Sequence, residues 1–338
     1  MKKITILVII ALLLLIFINP SKVGIINTLN ASAETVKEII NIDLEGELKY
    51  INYNGLLCVL NNGKLSAVNE NGKEIFSKDI PVENVKLSSD NYIDVLNKNS
   101  NKIYSIDDKG EIIFSSETSK DGFLYKSINE YVFVDVIKSN DKEVIKILNE
   151  SGWVSKKITI EGKVTGVNNI DDSILVSYIS ITDKVYNNLV IYDSNGNLKS
   201  QSKFEGVILD TIVMNDSIYL VFENKINILD KKLNTKIHID AKDIISISNS
   251  KDKIFIEDSE GNIGYIQDNE YNRINTKEKN VSIEPMEGTY ILYSDKTIYN
   301  DKLKEIITFE DEIMDIEHIN GKNIAVIFDR YIKIFNIE

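Results

Sequence analysis

The two histidines, His238 and His318, stand far apart, and neither belongs to a paired motif that would supply two metal ligands from one element. A zinc centre needs three or four converging ligands. His238 and Asp240 fall on alternate positions, which predicts a cross-strand pair on a strand surface. His318, just before Asn320-Gly321, is expected to face solvent. The acidic run Glu310-Asp311-Glu312, continued by Asp315 and Glu317, has the composition of a calcium site or of paired carboxylates for glycan chemistry. It lacks the alternating acids and internal glycine of a calcium loop, so a solvated loop is the expectation. Cys58 sits among Leu56, Leu57, Val59 and Leu60 with no basic neighbour, the setting of a small core residue rather than a reactive thiol. Tyr50, Tyr125, Tyr178, Tyr186 and Tyr293 have the chemistry of a sugar- or peptide-binding platform, with packing the expected role for most of them. No Gly-x-Ser-x-Gly elbow, phosphate-cradling glycine loop or dinucleotide fingerprint occurs. The sequence therefore assigns no catalytic, cofactor-binding or metal residue, no cofactor and no enzymatic activity.

Composition narrows the partners. The formal charge is −13, and the first 33 residues hold three lysines and no acid, so the remainder is more acidic still. Phosphate backbones would be repelled, which excludes nucleic acid as a partner. With 43% hydrophobic residues and only three prolines, the chain can bury a large core and is not disordered. One cysteine permits no internal disulfide.

The N-terminus reads as an export signal: Lys2 and Lys3 precede a run at 4–18 that is apolar but for Thr5, followed by Asn19 and Pro20. Fifteen helical residues span roughly 22 Å, short of the ~30 Å hydrocarbon core, which residues 19–26 can make up by tilting into the interface. Ala31-Ser32-Ala33 fits a small-x-small cleavage site but lies well beyond the apolar run. The reading adopted is an uncleaved anchor with the lysines inside, with cleavage near Ala33 and release as the alternative. No cysteine follows the apolar segment, which excludes a lipobox. Residues 1–33 are thus assigned to a signal anchor or signal peptide and linker, and 34–338 to an extracytoplasmic folded body.

That body is organised by one pattern, clearest at 64–79, where an apolar run meets an Asn-x-x-Gly turn and a second β-rich run follows. Aligning the turns places Asn69, Asp107, Asn149, Asp193, Asp230, Gln267, Asn300 and Asn336 in register at a period near 40. A second, earlier series runs through Asn54-Gly55, Asp90-Asn91, Asn129-Glu130, Asp171-Asp172, Asn215-Asp216, Lys251-Asp252, Glu287-Gly288 and Asn320-Gly321. Apolar runs such as 218–222 and 324–328 lie between the two series and suit strands covered on both faces. Four strands per repeat of about 40 residues predicts an all-β propeller, with eight blades and seven as the alternative. The last repeat is short of its outermost strand. Residues 36–42 (VKEIINI) resemble the outer strands at 73–76 and 304–308, and are expected to close the ring in the last blade. The longest repeats carry extra residues near 138–142 and 181–188, between second and third strands, which predicts a raised rim.

Ala67-Val68-Asn69, then Gly72 and Phe76, resembles the repeat of quinoprotein-like propellers, in which Ala-x-Asp leads to Gly and then Trp. Asp107, Gly110 and Phe114 repeat it. The turn is one residue shorter than that family's usual form, and the only tryptophan, Trp153, directly follows Gly152. With its apolar N-terminus the chain also resembles uncharacterised membrane-anchored propeller proteins of Gram-positive bacteria, which implies location and fold and carries no residue-level function. Trp-Asp pairs closing a blade and recurring Gly-Gly pairs are absent. The function expected on these grounds is a non-catalytic envelope module that binds or scaffolds a protein or cell-wall glycan. The alternative is a quinoprotein-type or glycan-active enzyme with its site at the mouth of the central channel.

Overall fold

The computed structural model describes residues 36–43, 48–80, 85–89, 91–139, 142–250, 252–276 and 281–337. The apolar run at 4–18 and the Ala31-Ser32-Ala33 site lie outside them. Residues 36 onward form one compact unit made of eight four-stranded antiparallel sheets, the blades of a β-propeller. Blades 1 to 7 are consecutive meanders at 48–79, 85–117, 122–160, 163–205, 208–240, 244–274 and 282–308. Blade 8 takes three strands from 315–337 and its outermost strand from Val36–Asp43, which pairs antiparallel with Tyr331–Ile337. Glu38 and Lys333 form an ion pair at 3.0 Å across this seam. The expected closure and the count of eight are both present.

The turns that organise the sequence share one geometry. Asn69 Oδ1 accepts from the backbone N–H groups of Asn71 and Lys73, both at 3.0 Å. The same two bonds recur from Asp107, Asn149, Asp193, Asp230 and Asn300. A short side-chain acceptor thus substitutes for backbone in closing the loop between third and fourth strands. The fourth position of each loop has positive φ, filled by Gly72, Gly110, Gly152 and Gly196 but by Leu233 and Leu303 in blades 5 and 7. Blade 6 departs from the alignment. At Gln267 the connection is a tight turn through Asp268 and Asn269, both at positive φ, and the side-chain-closed loop has moved to Asp258, between second and third strands.

The middle strands are apolar on both faces because each face packs against a different blade. Along Ser217–Phe222, Ile218, Leu220 and Phe222 pack toward blade 4, and Tyr219 and Val221 toward blade 6. Along Asn323–Ile327, Ile324 and Val326 face blade 7, and Ala325 and Ile327 face blade 1. Every main hydrophobic cluster spans two consecutive blades, and the one joining blade 8 to blade 1 completes the circuit. Each fully buried Leu or Ile contributes on the order of 2 kcal/mol, so most of the core's stabilisation sits between blades.

The glycine-plus-four spacing now has a cause. Phe76 lies over the Gly110 turn of the next blade so closely that a Cβ there would stand 2.6 Å from its ring. Lys156 covers Gly196 as closely, Phe114 and Ser116 reach Gly152 only at ordinary contact distance, and at the next joint Ser200 donates to the Lys232 carbonyl at 2.9 Å. The joint grades from aromatic to polar around the ring. The extra residues of blades 3 and 4 lengthen strand pairs rather than loops: the second and third strands run Val132–Ser139 with Lys142–Asn149, and Ser173–Ile181 with Val185–Asp193. These tall hairpins form the raised rim.

Two outcomes follow. Gly261→Ala, where φ is +78° and nothing lies within 4 Å, should cost about 1 kcal/mol for left-handed backbone alone. Gly110→Ala adds the collision with Phe76 and should cost a further 1–3 kcal/mol or so; equal losses by chemical denaturation would remove the inter-blade contact from the account. Deleting 331–338 should lower the melting temperature sharply, and an unchanged one would contradict closure.

Candidate functional site

Each blade's innermost strand presents a free edge toward the ring's centre, and unpaired edge groups must be satisfied. Side chains from neighbouring blades do this. Asp94 accepts from the Ser127 amide at 2.6 Å, and Glu143 from the Val164 amide. Glu284 accepts from the His318 amide at 2.8 Å. Donors serve the carbonyls: Asn52 bonds the His318 and Ile319 carbonyls, Asn91 that of Ile128, and Asn168 that of Thr211. Between blades 2 and 3, Asp94 also holds the Ser105 and Ser127 hydroxyls, and Ser105 meets the Tyr125 hydroxyl at 2.8 Å.

A cluster of ionisable groups lies where blades 7, 8 and 1 meet. Asp315 binds the Tyr50 hydroxyl with one oxygen and the Tyr293 hydroxyl with the other, the latter at 3.0 Å. Both hydroxyls are held well above the ordinary tyrosine range, by burial first and then by Asp315. Burial raises Glu284 to about 9, and burial with the Asp315 charge raises Glu317 to about 7. None of the described ion pairs reaches Glu284, Asp315 or Glu317. The arrangement sets neutral and charged carboxyls side by side, which is the raw material of acid–base chemistry. Glu284 is nonetheless committed to an amide and both Asp315 oxygens to phenols.

Just outside this cluster, an open cavity of about 720 Å³ lies between blades 7 and 8, lined by Glu310, Asp311, Glu312, Asp329, Phe328 and Tyr331 among others. Phe328 and Tyr331 stack with centroids 4.6 Å apart, and the Tyr331 hydroxyl donates to Asp311 at 2.5 Å. Partial burial and that carboxylate push Tyr331 up to about 12.

The acidic run is therefore split. Glu310, Asp311 and Glu312 are exposed, as expected of a loop, whereas Asp315 and Glu317 are half-buried because the inner strand starts at Asp315. His318 is half-buried rather than solvent-facing, since its strand is packed between Glu284 and Asn52. His238 lies opposite Asn227 in register and bonds it at 2.8 Å, with Asp240 at 3.1 Å, a surface cross-strand pair. Among the described residues no group of three or more His, Cys, Asp or Glu could hold a metal ion. Cys58 is fully buried, and burial pushes its thiol up to about 12. Of the five tyrosines the structure brings Tyr50 and Tyr293 onto one carboxylate, Asp315. Tyr125 is core, and Tyr178 and Tyr186 belong to the tall hairpin of blade 4. Reading the sequence missed Glu284, whose role shows only when blade 7 is set beside blade 8.

No protein-family model and no curated protein matches the sequence. Among solved structures the fold is similar to the computationally designed Ika8 protein, with a TM-score of 0.62 and 10% identity over 89% of this chain and 100% of that one. Sqt1 of Saccharomyces cerevisiae matches at 0.56 and 10% identity, over 90% and 98%. A streptogramin B lyase matches at 0.52 and 13% identity, over 90% and 98%. These neighbours are β-propeller proteins, and at such identities the likeness concerns fold alone.

Between the ordinary 4.5 and about 9 the folded chain keeps the Glu284 proton that the unfolded chain has released, so stability falls as pH rises through that window. Glutamine at 284 keeps the acceptor for His318 and has no proton to lose. Glu284→Gln should flatten the decline in denaturant midpoint between about pH 5 and about pH 9; parallel pH curves for variant and parent would refute it.

Proposed function

We propose that the chain is an extracytoplasmic, non-catalytic binding or scaffolding module of the cell envelope, which presents propeller loops to a protein or cell-wall partner. The observation that carries this reading is the fate of four acids at the joints between blades. Asp94, Glu143, Glu284 and Asp315 are all engaged in bonds from blade to blade. What remains at the surface is shape: tall hairpins in blades 3 and 4 and an aromatic-floored groove between blades 7 and 8. Rigid scaffolds that project variable loops are well suited to recognition. The apolar run at 4–18 supports attachment by one helix, with release after Ala33 as the alternative outcome.

A second reading has one observation in its favour. The differing protonation of Glu284 and Glu317 beside Asp315 is what a carboxylate-based glycan-cleaving site uses. Glu317 would then be the proton donor at the channel mouth, without a cofactor.

Photo-crosslinking in the native host tests the first reading, with the probe placed in turn on the tall hairpins, on the groove and on Trp153. A discrete partner should be captured, and shortening both hairpins should reduce capture several-fold. Absence of any partner from every position, together with glycan turnover that Glu317→Gln abolishes, would overturn it in favour of the enzyme. Intact mass of the membrane-bound chain decides between anchor and cleavage.

A further inference from the structure

The two faces of the ring differ. One, here the upper face, carries the blade-to-blade connections and the turns between second and third strands; the other carries the remaining turns. On the upper face, the innermost strands of blades 3 to 6 each bulge near their start, adding Phe123, Thr165, Leu209 and Ile245 as extra residues. The corresponding strands of blades 1, 2 and 7 pair without a break, and in blade 8 the irregularity falls at the opposite end. A bulge re-aims a side chain and leaves it unpaired. Leu209 is 48% and Ile245 64% exposed, each directly following a buried isoleucine.

The same half of the upper face holds further apolar surface. Ile181, at the end of the tall hairpin of blade 4, is 76% exposed, and Val207 is 48% exposed. They are neighbours, because Val185 pairs with Ile181 and its carbonyl accepts the Gly206 amide at 3.1 Å. Ile181, Val207, Leu209 and Ile245 therefore form an apolar crescent running over blades 4, 5 and 6. Exposed apolar patches of this kind mark interaction sites. On the adjoining arc of the ring, blades 7 and 8 carry the exposed carboxylates Asp295, Glu310, Asp311, Glu312 and Asp329 on the same face. The cations there are partly engaged: Arg330 pairs with Asp329 at 3.6 Å, and Lys296 bonds the Glu310 carbonyl. Exposed apolar side chains over blades 4 to 6 thus adjoin an arc rich in exposed carboxylates on blades 7 and 8.

We infer that the upper face is a docking surface for a basic, amphipathic protein segment, whose apolar side chains cover the Ile181–Val207–Leu209–Ile245 crescent while its lysines or arginines meet the carboxylates of blades 7 and 8. The charge selects the partner, since an acidic segment would face five carboxylates against only the two cations Lys296 and Arg330. The apolar arc supplies burial, and the acidic arc sets orientation and on-rate. This assignment rests on the binding-module reading and names its face and partner chemistry.

The test uses the purified full-length chain and three labelled 14-residue peptides, one of leucine and lysine in amphipathic order, one with glutamate for lysine, and one with serine for leucine. Fluorescence anisotropy should show the leucine–lysine peptide binding at least tenfold more tightly than either control, and weakening several-fold as salt rises. Leu209→Ser with Ile245→Ser, both exposed and thus compatible with an unchanged melting temperature, should reduce that affinity at least tenfold, whereas Trp153→Ser on the lower face should not change it. No binding, equal binding of the glutamate peptide, or indifference to the double variant would overturn the proposal. If crosslinking in the host captures a partner through Trp153 alone, the docking face is wrong and the binding module stands; if no position captures one, the module itself fails.

Discussion

A four-stranded sheet whose middle strands are apolar on both sides cannot exist alone in water, and that single requirement shapes this molecule. Ile218, Leu220 and Phe222 need blade 4 while Tyr219 and Val221 need blade 6, and the same division holds in blade 8 for Ile324 and Val326 against Ala325 and Ile327. Every sheet must be covered twice, so a row of them has two bare ends unless it closes. Closure through Val36–Asp43 removes both ends at once, and it ties the first described strand to the last. Repeat proteins built as open rows need polar capping units at their ends; a ring avoids them.

The polar interior follows from the same geometry. Turning eight sheets toward a common axis leaves eight inner edges with amides and carbonyls that the ladder does not use. Acids and amides of neighbouring blades close them, which places Asp94, Glu143 and Glu284 where carboxyls would otherwise be costly. Perturbed acids often signal catalysis; Glu284, the one of these three that burial raises, has the His318 backbone amide as its partner.

The repeat was legible in the sequence because its cause is local. Asn69, Asp107 and their counterparts close a loop within five residues, so spacing alone exposed the blades and even the missing strand. Blade 6 shows the limit: its loop moved to Asp258, and the alignment settled on Gln267, where a different turn does the same job. Features that depend on the neighbouring blade were not legible. The burial of Asp315 and Glu317, the capping role of Glu284, and the bulges that expose Leu209 and Ile245 all arise from register or from contacts across blades, and neither leaves a periodic trace. The aromatic joint was visible as a spacing, Gly72 to Phe76, but its meaning needed Gly110 in view.

The claim on which the rest depends is that the strand at 36–43 is an integral part of blade 8. Amide hydrogen exchange read by mass spectrometry tests it directly. The account predicts that 36–43 exchanges as slowly as 331–337, and that both open together with the whole ring. Exchange of 36–43 within seconds, while 331–337 and the other blades stay protected, would contradict it.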